Sequence, residues 1–155
     1  MAVTKNTIKT SYPLPIYNYR VTVGNKTLGF SEVSGLSIEY EPVTYKHGLS
    51  FVMGVKIIPG MRQPARLTLK RGIVKDSNFL VSWLKSAYND PFSNPKKDVV
   101  IDLCDEEGKA VVRWTAVNAL PTKLDIPTFD ANSNDVAIET LELVAHEIKV
   151  DYSPK

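Results

Sequence analysis

The sequence lacks most of the features that would make its chemistry easy to read. It has a single cysteine, Cys104, in 155 residues, so no disulfide can close within the chain, and the pattern fits a compartment that is reducing during folding. Neither sign of charge is in excess, since 19 basic against 17 acidic residues leave a formal net charge of +2. Phosphate-binding surfaces show a clustered lysine and arginine excess, whereas here the two signs are interleaved, so no sequence-specific nucleic-acid binding is expected. No segment reaches the run of about 18 apolar residues that spans a membrane, and no membrane anchor is expected. The opening "MAVTKNTIKTSYPLPIYNY" has no apolar stretch before Tyr12; a Sec-type signal peptide is therefore not expected, and synthesis in the cytoplasm is.

Convergent catalytic groups are equally scarce. His47 and His146 have no partner at metal-ligand spacing, and both read as loop or surface residues. Cys104 stands beside Asp105 and Glu106, whose negative charge opposes thiolate formation, so it reads as a small structural residue. "DANSND", Asp130 to Asp135, matches the first three alternate positions of a calcium loop, but Asp135 stands where the turn needs glycine and Leu141 where a bidentate glutamate belongs. It reads as a polar turn. "GNKT", Gly24 to Thr27, lacks the first glycine and the following helix of a phosphate loop. Glu106 and Glu107 are adjacent, the wrong geometry for a general acid and base. No enzyme, cofactor or metal site is expected. A metal-dependent enzyme built on Asp125, Asp130 and Asp135 is the rival reading, and it predicts metal-dependent thermal stabilisation.

What is present is an ordinary globular composition, 43% apolar and 23% charged, long enough for one domain over residues 1–155. Residues 1–16, closing on "YPLPI", read as an extended arm. Tyr17, Tyr19, Val21 and Val23 then alternate with polar residues, and Leu28, Phe30, Leu36, Ile38 and Tyr40 continue the alternation as two or three meander strands ending at Pro42. "ARLTLKRG" is a strand with Ala65, Leu67 and Leu69 on one face. Phe79, Leu80, Trp83, Leu84 and Ala87 mark one stripe of a helix over about residues 77–88, with Asp76 or Ser77 as cap and Asn89-Asp90-Pro91 as stop. "DVVIDLCDEEGKAVVRWTAVNAL" reads as a hairpin turning at Asp105 to Lys109, with Val99, Ile101 and Leu103 on one face of its first strand and Val112, Trp114 and Ala116 on one face of its second. Pro121 and Pro127 bracket an irregular link. In "VAIETLELVAHEIKVDY" the spacing of Leu141, Val144, Ala145 and Ile148 favours a helix, while Ile148, Val150 and Tyr152 favour a strand, and the residues leave that open. The expected architecture is a mainly β, antiparallel sandwich or barrel with one flanking helix.

One segment does not fit. "HGLSFVMGVKIIPG", His47 to Gly60, is punctuated like a loop yet carries Leu49, Phe51, Val52, Met53, Val55, Ile57 and Ile58. Seven large apolar residues on a loop make a patch of the kind that marks an interface. The alternative is another core strand over Phe51 to Ile58.

In order, "SGLSIEYEPVTYKHG", "IPGMRQPARLTLKRGIV", "FLVSWL", "DVVIDLCDEEGKAVVRWTAVNALPTKL" and "FDANSNDVAIETLELVAHEI" resemble successive blocks of the tail tube proteins of contractile-tailed phages and phage-derived extracellular contractile injection systems. The likeness runs from about Tyr12 to Ile148. It implies a fold similar to the hemolysin-coregulated tube protein of type VI secretion, with "VAIETLELVAHEI" on a strand. It also implies homo-hexameric rings stacked into a tube, sheath and baseplate partners, DNA or other cargo in the lumen, and assembly into a phage tail or extracellular particle. Residues 44–60 then become an inter-subunit loop or hairpin, with the seven apolar residues buried on assembly, and Tyr12, Pro13 and Pro15 of the arm become contacts to a neighbour. Tube-initiator and tube-cap paralogues share the fold and stand as the alternative, followed by a monomeric ligand-binding barrel with the segment folded inward over a pocket.

Overall fold

The computed structural model describes residues 11–75, 78–90 and 92–155. The first ten residues of the arm, the capping candidates Asp76 and Ser77, and Pro91 of the expected helix stop lie outside them. Ten strands and two helices follow in order: β1 (Tyr19–Val23), β2 (Lys26–Leu28), β3 (Glu32–Ser34), β4 (Val43–Tyr45), α1 (Ser50–Met53), β5 (Lys56–Ile58), β6 (Ala65–Gly72), α2 (Phe79–Asn89), β7 (Lys97–Cys104), β8 (Ala110–Asp125), β9 (Ile138–Ala145) and β10 (Glu147–Asp151), counted among the described residues. The main sheet is antiparallel, in the order β2-β1-β7-β8-β9-β6-β3, with β10 also paired to β8.

β8 determines the architecture. Its first part lies between β7 and β10, with Trp114 opposite both Ile101 and Val150, while its last residues pair with β9, Leu120 opposite Val144. The change of direction falls at Asn118, whose φ of 51° is left-handed, a conformation asparagine tolerates better than most side chains. Its backbone N–H, freed from the ladder, donates to Asp98 Oδ1 at 2.9 Å. The sheet therefore folds over on itself, and one cluster of buried side chains joins the two halves: Val21, Val99 and Ile101 from one, Leu67, Leu69, Leu141 and Leu143 from the other. α2 packs against β8 and buries Leu80, Trp83 and Ala87. Trp83 Nε1 donates to the Pro95 carbonyl at 2.7 Å, and the Tyr88 hydroxyl to that of Pro121 at 2.8 Å, so the helix is held at its middle and at its C-terminal end.

Four expectations need correction. Leu36, Ile38 and Tyr40 form no strand, because the chain there runs irregularly beside residues 61–63 with only a Tyr40–Arg62 bridge. At its start Gly35, at φ 87°, passes so close to Arg66 that a Cβ would stand 2.1 Å from its carbonyl oxygen. Tyr17 precedes β1 and is exposed. β3 does not continue the β1–β2 meander but pairs with β6 in the other half. Pro121 does not open a link: it is fully buried within β8, opposite Leu143 and next to a register shift, where a strand accommodates the missing N–H. The ambiguous last segment is strand, β9 and β10. The buried face of β9 is Leu141, Leu143 and Ala145, the period-two set rather than the helical one.

Candidate subunit interface

The apolar segment 47–60 is neither a core strand nor folded inward over a pocket. β4 and β5 pair Val43 with Ile58 and Tyr45 with Lys56 as a separate two-stranded sheet, with α1 at its tip. The tip is organised locally: His47 Nδ1 accepts the Leu49 backbone N–H at 3.1 Å, and the His47 N–H donates to Ser50 Oγ at 2.7 Å. His47 thus shapes the turn. At the base, the Glu41 N–H donates to the Met61 carbonyl at 2.9 Å and the Gln63 N–H to that of Glu39 at 2.8 Å. Gly60 is required there, since a Cβ would stand 1.7 Å from the Glu41 carbonyl oxygen. Arg62 Nη1 donates to Glu147 Oε2 and ties the base to the first residue of β10.

This hairpin buries almost nothing of itself. α1 has no buried residue; Phe51 is 85% exposed and Ile57 73%, and Leu49, Val52, Met53, Val55 and Ile58 are exposed as well. The hairpin is a separate, projecting element whose apolar surface has no cover among the described residues, and an isolated two-stranded hairpin is marginal in water.

Tyr12, Pro13 and Pro15 are exposed too. The arm enters β1 through Asn18, whose carbonyl accepts the Cys104 N–H at 2.8 Å and whose side-chain amide donates to the Asp105 carbonyl. It thereby lies beside the β7–β8 turn. On the outward face of the first half-sheet, Arg20, Asp102, Arg113 and Asp151 stand in register across β1, β7, β8 and β10. Asp102 is buried and accepts from Arg113 Nε at 2.6 Å and from Arg20 Nη2 at 3.1 Å. Burial pushes its carboxyl up, but hydrogen bonds and charge from Arg113 and Arg20 together outweigh that and hold it below the usual carboxylate range.

The remaining sequence candidates do not converge. His146 is exposed at the break between β9 and β10, Cys104 is buried at the end of β7, and Asp130 caps its own turn by accepting the Asn132 N–H at 3.0 Å. Among the described residues no three His, Cys, Asp or Glu side chains are grouped to hold a metal ion, and no helix is long and apolar enough to cross a membrane.

A bent antiparallel sheet, one flanking helix and an uncovered apolar hairpin agree with the comparison of families: residues 15–149 match the family described as T4-like virus tail tube protein gp19. The chain belongs to this tail tube family. No curated protein sequence matches it. Among solved structures, this tail tube chain is similar to a chain of an extracellular contractile injection system, the PVC sheath-tube complex in its extended state, with 32% identity over 97% of this chain and 99% of that one and a TM-score of 0.88. It is comparably similar to the tube-terminating cap of the anti-feeding prophage, with 33% identity over 99% and 100% and a TM-score of 0.84. Hcp1 from Flavobacterium johnsoniae shares the fold, with 16% identity over 88% and 97% and a TM-score of 0.56.

Sequence reading missed the Arg62–Glu147 tie and the Arg20–Asp102–Arg113 cluster, because each pairs residues far apart in the chain. A signal for the second existed: Arg20, Asp102 and Arg113 each interrupt an apolar strand on its polar face.

Proposed function

We propose that this tail tube chain is the repeating subunit of the inner tube of a contractile tail or injection system, with residues 1–155 as one tube domain. Six copies close a ring, and rings stack into a hollow conduit inside a sheath and on a baseplate, in an extracellular particle whose lumen carries DNA or other cargo. The role is mechanical, without catalysis or cofactor. The observation that carries this reading is the projecting hairpin of a family member whose own core is already complete. Leu49, Phe51, Val52, Met53, Val55, Ile57 and Ile58 lose their water only against another copy, and Tyr12, Pro13 and Pro15 also contact a neighbouring copy. Each large apolar side chain buried contributes about 1.5 to 3 kcal/mol, so a few per contact are comparable to an association cost of roughly 4–15 kcal/mol. Proline lowers the ordering cost of the arm.

A second reading has its own support, since the likeness to the prophage cap matches that to the sheath-tube complex in identity and coverage. A cap closes one ring and stops. Light scattering on size-exclusion fractions, with negative-stain microscopy of the same fractions, separates the readings. Six-fold rings that elongate into tubes indicate the repeating subunit, and rings that never stack indicate a cap. A stable monomer at high concentration sinks the subunit reading.

A further inference from the structure

The arm and the β7–β8 turn enclose a cavity of about 560 Å³. One wall is apolar, built from Tyr12, Pro13, Leu14, Pro15 and Tyr17, with Val111 at the side; the other is the acidic turn of Asp105, Glu106 and Glu107. The Asp105 carboxylate is engaged within the turn, accepting the N–H groups of Glu107 and Lys109 at 2.9 Å. Glu106 and Glu107 are exposed and, among the described residues, enter no ion pair. The cleft therefore offers an apolar wall with two acidic side chains at its rim that are unpaired among the described residues.

The hairpin offers the complement. From Val43 to Ile58 it contains Lys46 and Lys56 and no acidic residue. Both lysines are exposed, and neither has an ion-pair partner among the described residues. Phe51, Val52 and Met53 stand at the tip between them in sequence.

Placement decides whether one chain can satisfy both surfaces. The base of the hairpin is tied to Glu147, which lies opposite Val117 on β8. The cleft lies at the first residue of that strand, where Cys104 pairs with Ala110 and bonds the arm at Asn18, whereas Val117 stands mid-strand, next to the bend at Asn118. Seven residues of strand, about 23 Å at 3.3 Å per residue, separate the two along β8. Complementary surfaces at opposite ends of the half-sheet formed by β7, β10 and the first part of β8 make a head-to-tail contact, which repeats along the strand direction instead of closing on itself.

We propose that the apolar tip of the hairpin, Phe51 to Met53, docks in the arm cleft of a second copy of this chain, with Lys46 and Lys56 facing its Glu106 and Glu107, as the contact that stacks one ring on the next. The inference rests on the tube reading and specifies which two surfaces meet. The apolar seat provides the affinity, and the charges set register and exclude like-to-like pairing, since two hairpins or two clefts brought together repel.

The test is a photo-crosslinking side chain in place of Phe51, in assemblies grown from equal amounts of isotopically light and heavy chain. Crosslinks between light and heavy peptides that join the hairpin to residues 12–17 or 104–111 are expected. Crosslinks within one chain, to any other region, or only to an added foreign protein overturn the proposal while leaving a tube intact. Failure of the unsubstituted chain to assemble at all overturns the tube reading together with it. As a second measurement, Lys46→Glu/Lys56→Glu and Glu106→Lys/Glu107→Lys should each raise the concentration needed for stacking at least about tenfold, and the chain carrying all four should recover it. These side chains are exposed, and thermal melts of each variant check folding. Doubles that stack like the parent, or a quadruple variant no better than the doubles, overturn the pairing.

Discussion

Arg62 and Glu147 are 85 residues apart and joined by a hydrogen-bonded ion pair, so the pose of the projecting hairpin is referred to the edge of the main sheet. Their side chains are 37% and 20% exposed, which places the pair where screening by water leaves about 1 kcal/mol or less. Its importance is therefore orientation rather than stability. Arg62→Ala should leave the melting temperature within about 4 °C of the parent and weaken assembly, read as a smaller fraction of stacked rings in sedimentation velocity. A variant that melts early but assembles normally assigns the pair to stability alone.

The glycine at the hairpin base makes a sharper test of pose. Gly60→Ala forces a methyl group into the Glu41 carbonyl, and the backbone must separate, breaking the bond between the Glu41 N–H and the Met61 carbonyl. A local cost of about 1–3 kcal/mol is expected, confined to a hairpin that contributes nothing to the main core. Amide exchange should accelerate over residues 40–62 while β7 and β9 stay protected, and assembly should be lost. Uniformly faster exchange would show the hairpin to be part of the folding unit.

Phe51→Asp addresses the interface directly. Phe51 makes no core contact in the single chain, so monomer stability should change by no more than about 0.5 kcal/mol, while assembly is abolished by a charge placed in an apolar seat. Rings and tubes in undiminished yield would remove this residue from the interface.

The Asp102 cluster predicts an acid limit for the subunit. Because the folded-state pKa lies below the unfolded one, this carboxylate contributes stability that is fully present above the unfolded value of about 3.9 and is lost as pH falls through the folded value. Asp102→Asn should cost about 1–3 kcal/mol at pH 7, less than a fully dry pair, since Arg20 and Arg113 reach solvent with 44% and 33% of their side chains exposed. Denaturant melts should show the difference between parent and variant narrowing by pH 3. A constant difference from pH 7 to pH 3 would falsify the assignment to ionisation.

The sequence by itself determined the elements whose signal is local. β6, the β7–β8 turn at Asp105 and α2 are legible because alternation, a turn cluster and a helical stripe each involve residues within one or two turns of each other. The apolar content of 47–60 was equally visible, and with it the residues of the candidate interface. Tertiary structure alone decided the rest. Pro121 looks like a strand breaker until β9 is present to receive it opposite Leu143, and Ile38 looks like a strand residue until Gly35 and Gly60 show two close backbone approaches that hold the chain out of the ladder. β9 reads as helix by propensity, and pairing on both sides with β6 and β8 overrides a preference worth only tenths of a kcal/mol per residue. That Phe51 and Ile57 face water is likewise no property of their own sequence window: burial is decided by what other segments leave uncovered, and among the described residues no segment of the same chain covers the hairpin.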